Sequence, residues 1–401
     1  MKFGGSSVKD AERVKRAAAR VVETQKAGHR VVVVVSAPGD MTDDLIDRAH
    51  TITPNPDERE MDMLLATGEQ ISIALLSMAI KALGVGSISL TGPQAGIRAT
   101  NTHTKARIIK ILPSKILKGL KAGKVVIVAG FQGLNPEEDI VTLGRGGSDL
   151  TAVALAAALK SEICDIYTDV EGVFTADPRV VPDAQKVEQI SYDAMLELAG
   201  AGSQVMQSRS IEVAKKYGVK VHVRSSLVNK KGTIIADLSK GMEDPVVSGV
   251  AFDKNEARLS VRDVPDRPGV AASIFGALAE ESINVDMIIQ STAQNGMNEI
   301  SFTISRPDLN KAGQVLERVR SQLGAREIFT DDKVAKVSIV GVGMRSHPGV
   351  AAKMFSTLAE AGINIEMIST SEIKVACVVK EDDGPKAVKL IHQAFGLEKS
   401  S

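Results

Sequence analysis

Three stretches in the first half of the chain set chemically capable side chains beside glycine. Lys2-Phe3-Gly4-Gly5-Ser6-Ser7 precedes a helix expected to begin near Asp10. Paired glycines let a backbone approach phosphate oxygens, a helix N-terminus offers unpaired N–H groups, and the lysine adds a compact positive charge. The same residues also read as an ordinary turn. They are not a Walker A loop, which needs Gly-x-x-x-x-Gly-Lys-Ser/Thr. The second stretch, Leu143-Gly144-Arg145-Gly146-Gly147-Ser148-Asp149, falls between a strand-like Ile140–Leu143 and an apolar helix from Leu150. A guanidinium holds a carboxylate bidentately, and the glycines expose backbone N–H groups. A Gly-rich turn capped by Ser148 or Asp149 is the plainer reading, but it leaves Arg145 without a role.

The third stretch, Tyr167-Thr168-Asp169 through Thr175-Ala176-Asp177-Pro178-Arg179, follows an apolar strand. It offers hydroxyls and carboxylates for a ribose or base and Arg179 for a phosphate, although Glu-Gly and Asp-Pro are also turn dipeptides. Thr67-Gly68-Glu69 sits inside an apolar helical run, Met61–Ser72. A glutamate there either faces water or needs a buried partner such as a substrate ammonium, because an unpaired buried carboxylate is costly.

These groups need a scaffold, and the pattern supplies one. Val31–Val35 and Lys124–Ala129 are short apolar runs ending in Ser36-Ala37-Pro38-Gly39 and Gly130-Phe131-Gln132-Gly133. Helical stretches alternate with them at Ala11–Ala27, Leu64–Leu83, Leu150–Leu159 and Tyr192–Leu198. Fully apolar strands separated by helices predict an α/β fold with a mostly parallel sheet sandwiched by helices. Ligands of such sheets bind at loops leaving the carboxyl ends of strands. The pattern breaks around Leu238–Glu256, and beyond it the chain repeats itself. Pro268–Ile288 matches Pro348–Ile368 at an offset of 80, with thirteen of twenty-one positions identical. Each copy reads as strand, Pro-Gly turn, amphipathic helix and second strand, which makes a paired module rather than a solenoid.

Composition excludes other classes. Basic and acidic residues number 49 each, so no electrostatic footprint points to nucleic acid or an anionic membrane. With no Trp and three Tyr, there is no aromatic platform for bases or sugars. Cys164 and Cys377 are too few for a disulfide framework, and no metal-ligand cluster is read. No continuous apolar run reaches the roughly 18–20 residues that span a bilayer. A cytoplasmic protein is expected.

Taken in order, these motifs resemble the aspartate kinases of the amino-acid kinase superfamily, nearly end to end. The hallmarks are Lys2 to Ser7, Met61-Asp62-Met63-Leu64-Leu65 through Gly68-Glu69, Gly144 to Asp149, Tyr167-Thr168-Asp169, Thr175 to Arg179, Val223-Arg224-Ser225-Ser226 and Ile368-Ser369-Thr370-Ser371-Glu372-Ile373. The duplicated module resembles a pair of ferredoxin-like βαββαβ ACT domains. The resemblance implies an amino-acid kinase domain over 1–243 and ACT domains over 257–331 and 335–398. It implies transfer of the ATP γ-phosphoryl group to the β-carboxylate of L-aspartate with Mg2+, in lysine, threonine and methionine biosynthesis. On this likeness Lys2 and Asp149 are the catalytic pair. Lys2, Phe3, Gly4, Gly5, Ser6, Thr168, Asp169, Phe174, Asp177 and Arg179 surround the nucleotide. Thr42, Glu69, Arg145, Gly146, Gly147 and Ser148 hold aspartate.

The resemblance also implies feedback by threonine, lysine or both, and homo-oligomers paired through the ACT domains. The effector contacts expected from it are Asp266, Gly269, Ala271, Asn284 and Gln290 in the first copy, with Asn364 and Ile365 in the second. Three positions depart from the family. Apolar residues that form a strand ahead of the lysine are missing before Lys2, so Lys2 is expected on a fraying end. Phe174 stands where many relatives have Tyr, and Gln204 where many have Lys. A non-catalytic amino-acid sensor is the competing reading; Glu69, Arg145 and Asp149 count against it.

Overall fold

The computed structural model describes residues 1–203, 205–238, 246–291 and 296–398, leaving aside the side chains of residues 345 and 346. The chain divides into two compact units: Met1–Val173 with Lys186–Ala199 and Gln204–Gly241, and Phe174–Gln185 with Gly200–Ser203 and Met242–Ser401.

Up to residue 236 the elements are β1 (Lys2–Phe3), α1 (Ala11–Lys26), β2 (Val32–Val35), α2 (Met41–Ile52), α3 (Glu58–Ala82), β3 (Ser87–Leu90), β4 (Ile97–Ala99), β5 (Ile108–Ile111), α4 (Ser114–Lys121), β6 (Val125–Ala129), β7 (Gln132–Leu134), β8 (Ile140–Thr142), α5 (Gly147–Leu159), β9 (Cys164–Thr168), β10 (Gln189–Ser191), α6 (Tyr192–Gly200), α7 (Ser208–Tyr217), β11 (Val221–Ser225) and β12 (Thr233–Ala236). Eight strands form one sheet in the order β10-β12-β11-β9-β1-β2-β6-β3, every pair parallel except β11–β12. The β-branched runs read from the sequence, β2 and β6, are internal strands of this sheet, and every residue of β6 is buried. A second sheet, β5-β4-β7-β8, carries the approach to Arg145.

Lys2 does not hang from a loose end, and that expectation is corrected. Two residues suffice for β1 to lie between β2 and β9, with Lys2 opposite Val34 and Ile166. Phe3 stacks on Tyr167 at 4.7 Å between ring centroids and is 1% exposed, which ties the strand into the core. The Met1 ammonium donates to the Val32 carbonyl.

By length and composition α3 could cross a membrane, with a mean hydropathy of 1.6 over eighteen residues, yet half of that window is buried within the protein. Leu65, Ala66, Ile73, Leu76 and Ile80 form its buried side, and Asp57 caps its start by accepting from the Arg59 and Glu60 N–H groups.

The second unit holds β13 (Gly249–Asp253), β14 (Glu256–Pro265), α8 (Val270–Glu280), β15 (Val285–Gln290), β16 (Met297–Ser305), α9 (Leu309–Leu323), β17 (Glu327–Asp331), β18 (Val334–Val340), α10 (Val350–Glu360), β19 (Met367–Thr370), β20 (Lys374–Lys380) and α11 (Gly384–Ala394). The first module is a βαββαβ unit with strand order β15-β16-β14-β17. The second has order β13-β18-β20-β19, so its outer strand comes from ahead of the first module, outside 335–398. Without β13 the inner strand β18 would carry a bare edge. The repeat read from the sequence is a packing repeat: Leu278 and Leu358, Ile283 and Ile363, and Met287 and Met367 are buried at matching positions.

Lys336 on β18 is 3% exposed and binds two carboxylates of the first module, Glu256 and, at 2.5 Å, Asp286. Burial works against its charge, but the two carboxylates outweigh that and hold its pKa above the usual lysine value. Lys336→Ala strands Glu256 in the interior, and a loss of about 3–5 kcal/mol is expected in urea unfolding of the whole chain.

Candidate active site

The parallel strands β9, β1, β2 and β6 all release their loops at one edge of the sheet, so Gly4–Ser7, Ser36–Gly39 and Gly130–Phe131 converge by topology. Gly5 shows how closely. A Cβ built there would lie 2.7 Å from the Ala37 carbonyl oxygen and 2.8 Å from that of Gly39. The Gly39 N–H also donates to the Gly5 carbonyl at 3.0 Å. Both obstacles are backbone, so Gly5→Ala is expected to cost about 1–3 kcal/mol. A lowered midpoint in thermal unfolding together with a raised KM for ATP is the expected result.

Lys2 Nζ lies 2.6 Å from Asp149 Oδ1, with side chains 11% and 12% exposed. Asp149 is in the first turn of α5, whose N-cap is Gly146 at φ 72° with no side-chain cap bond. The capping reading of Asp149 is therefore set aside: its carboxylate turns to the lysine. Gly146 permits the left-handed backbone that this entry needs, and Gly147 would press an added Cβ to 3.0 Å from Phe131. Phe131 is itself left-handed at φ 68°, a conformation that a phenylalanine in a sequence does not announce. Ser148 and Asp149 are buried, whereas Arg145 is exposed at the tip, its carbonyl accepting from Gln207 Nε2 at 2.5 Å.

Glu69 is inside the protein, 2% exposed, which removes the solvent-facing alternative. Its Oε1 accepts from the Ala37 N–H at 3.0 Å, and its Oε2 is buried without a partner. Burial pushes this carboxyl up to about 7. Gly68 makes the approach possible, since a Cβ there would fall 2.7 Å from that of Ala37. Thr42 is half-buried in the first turn of α2. The structure thus joins Lys2 to Asp149 directly and Glu69 to the Ser36–Gly39 loop. The Phe3 ring is in the core, stacked on Tyr167, which leaves only its backbone at the loop edge.

Thr168 ends β9, and its hydroxyl donates to Asp169 at 3.0 Å. Phe174, Asp177 and Arg179 belong to the second unit. There Phe174 packs on the core of the second module, and Arg179 forks onto Asp177, drawing that carboxyl below its usual value. Thr175, also in this segment, binds buried His392 of α11 at 2.9 Å. Gln204 lies outside the described residues.

Of the expected effector contacts, Asp266, Gly269 and Ala271 surround the start of α8, where Asp266 accepts from Asn298 Nδ2 at 2.9 Å and Gly269 adopts φ 97°. Gln290 closes β15, which runs parallel to β14 across β16, and so reaches the same end of the module. Asn284 precedes β15 and falls at the opposite end. Asn364 is exposed and Ile365 half-buried at the corresponding place in the second module. A Pro-Gly turn and an Ile-Asn pair look alike in sequence, but a strand's length separates them.

A doubly covered parallel sheet, a lysine–carboxylate pair at its loop edge and an appended module pair define an amino acid kinase with ACT domains. The amino acid kinase family model matches residues 1–225, and ACT domain models match 257–324 and 337–395. The aspartokinase of Mycolicibacterium smegmatis is 50% identical over 401 residues, covering 99% of this chain and 95% of its own. Solved E. coli aspartokinase III with aspartate and ADP (R-state) is similar over 98% of each chain, at 25% identity and TM-score 0.82; its complex with lysine and aspartate (T-state) gives 25% and 0.73. The chain belongs to the aspartokinase family, and it is a phosphotransferase with aspartokinase function.

Proposed function

We propose that the chain transfers the ATP γ-phosphoryl group to the β-carboxylate of L-aspartate, using Lys2 and Asp149 at the phosphate end of its loop edge. The observation that carries this reading is the 2.6 Å contact between them at the mouth of a glycine cradle. Phosphoryl transfer asks for positioning and charge neutralisation more than for covalent chemistry. An aspartate β-oxygen attacks Pγ, the bond from Pγ to the β,γ-bridging oxygen breaks, and ADP departs with that electron pair. The nucleophile is ionised near pH 7, so no general base is needed. Lys2 offsets the charge gathering on the transferred group, and Asp149 holds the lysine in line. Among the described residues no group of three or more His, Cys, Asp or Glu could hold a metal, so Mg2+ would enter on the nucleotide's phosphates, beside Asp149. There it would neutralise phosphate charge.

Glu69 receives the substrate ammonium, Arg145 a carboxylate, and Thr42 with the N–H groups of Gly146, Gly147 and Ser148 completes the pocket. Thr168 and Asp169 attend the nucleotide with the Lys2–Ser6 loop, while the roles of Phe174, Asp177 and Arg179 rest on the family resemblance alone. A solved relative named with aspartate and ADP supports both sets. In the ACT pair, Asp266, Gly269, Ala271 and Gln290 form one half of an effector site, and Asn284, Asn364 and Ile365 supply the other half across paired modules of a homo-oligomer. The effector is lysine, threonine or both, end products of the same cytoplasmic pathway; lysine is named in a relative's T-state complex. Binding would shift conformations that accept it unequally.

The test is ATP consumption with L-aspartate, the acyl phosphate trapped with hydroxylamine, with and without lysine and threonine. Aspartate-dependent hydroxamate suppressed by either amino acid is expected. ATP binding without hydroxamate would refute the assigned chemistry.

A further inference from the structure

The aspartate pocket described above gives Asp62 no part, yet Asp62 is a fully buried carboxylate on α3 whose partners all lie on the approach to Arg145. Its Oδ1 accepts from the Thr142 hydroxyl at 2.5 Å, and both its oxygens accept from the Thr104 N–H at 3.1 Å. Oδ2 lies 2.7 Å from Nδ1 of His103, a side chain 20% exposed. Thr142 is the last residue of β8, two residues before Gly144 and three before Arg145. Thr104 is held at φ 59°, a left-handed backbone that a threonine adopts only when its surroundings fix it.

The segment that Asp62 grips is in turn the floor of the Arg145 turn. The Ala106 N–H donates to the Thr142 carbonyl at 2.9 Å, and an added Cβ on Gly144 would sit 3.2 Å from the Thr104 carbonyl oxygen. Arg209 spans the same two pieces, donating to the carbonyls of Leu143 at 2.7 Å and Ala106 at 3.0 Å. One buried carboxylate therefore fastens helix, strand end and loop together directly behind an exposed guanidinium.

We propose that Asp62, with Thr142 and His103, is the positioning residue that sets the reach of Arg145 toward the substrate carboxylate. The proposal rests on Arg145 as the aspartate anchor. Asp62 touches no substrate; it fixes where the turn begins, and a displacement of about 1 Å in such a turn can cost as much as a hundredfold.

The test compares KM for aspartate with KM for ATP in the full chain. Thr142→Val removes the hydroxyl at nearly constant volume, and a rise of about tenfold in aspartate KM is expected with ATP KM within about twofold. Thr142→Ser, which keeps the hydroxyl, recovers most of that loss. His103→Ala, at a partly exposed site, moves aspartate KM in the same direction and keeps the test open if Asp62 variants fail to fold. Both KM values rising together would make Asp62 a general structural residue and overturn the proposal. Arg145→Ala raising aspartate KM while Thr142→Val and His103→Ala leave it unchanged would overturn the positioning role alone. Arg145→Ala without effect on aspartate KM would overturn the anchor and the proposal with it.

Discussion

Replacing Lys2 with methionine is expected to lower kcat for aspartate phosphorylation about a thousandfold while the chain stays folded. The methylene stem of methionine fills the same space beside β9 and β2, so the backbone register at Val34 and Ile166 has no reason to change. What is lost is the positive charge 2.6 Å from Asp149, at the point where the transferring phosphate gathers charge. Since the two side chains act as a unit, Lys2→Met with Asp149→Asn should be little worse than the poorer single variant. Steady-state kcat at saturating ATP and aspartate measures it. A Lys2→Met enzyme within tenfold of the parent would remove Lys2 from the chemistry.

Glu69→Gln is the second large effect. Its carboxylate is the buried acceptor proposed for the substrate ammonium, and truncating one side of such a charge pair typically costs about 2–5 kcal/mol, so kcat/KM for aspartate should fall roughly a hundredfold. The pH profile adds a sharper signature. Burial raises this carboxyl to about 7, so the parent enzyme loses its ionised acceptor as pH drops through that value. Aspartate KM should climb about tenfold from pH 8 to pH 6 in the parent and stay flat in Glu69→Gln. Stability runs with the opposite requirement. The folded state keeps a proton that the unfolded chain releases above its ordinary carboxylate pKa, so Glu69 makes folding less favourable as pH rises from that value toward 7. Glu69→Gln should flatten that slope in urea unfolding followed across the same window.

The elements carrying these groups were largely readable. Val31–Val35 and Lys124–Ala129 become β2 and β6 to within a residue, because β-branched runs covered on both faces have few other places to go. Helices at Ala11–Ala27 and Leu150–Leu159 appear as α1 and α5, while α3 starts six residues before Leu64, at a cap the apolar pattern did not mark. The buried state of Glu69 was not readable, since α3 carries apolar residues such as Ile71, Leu75 and Met78 on its exposed side as well and shows no clean polar face. Nor does the motif around Asp62 mark a role for it. Its partners, 41 to 80 positions away in sequence, meet only once the second sheet is assembled against α3. The harder case is Phe174–Gln185. Its turn dipeptides suggested one continuous loop after β9, but Ala176, Val181 and Ala184 are buried in the second module's core. Local pattern reports that a residue wants burial, and only tertiary structure decides in which core.

The buried lysine of the second module has an evolutionary reading. Lys336 and Glu256 stand at the same position of the repeat, one interval of 80 apart, as do Asp286 and Glu366. Two identical copies of either module would set like charges against each other at this buried contact. The opposite signs make the two modules complementary and not interchangeable. Each module now needs its sister rather than a second copy of itself at this contact. A recombination that duplicates or swaps one module would meet a buried like-charge clash at this contact.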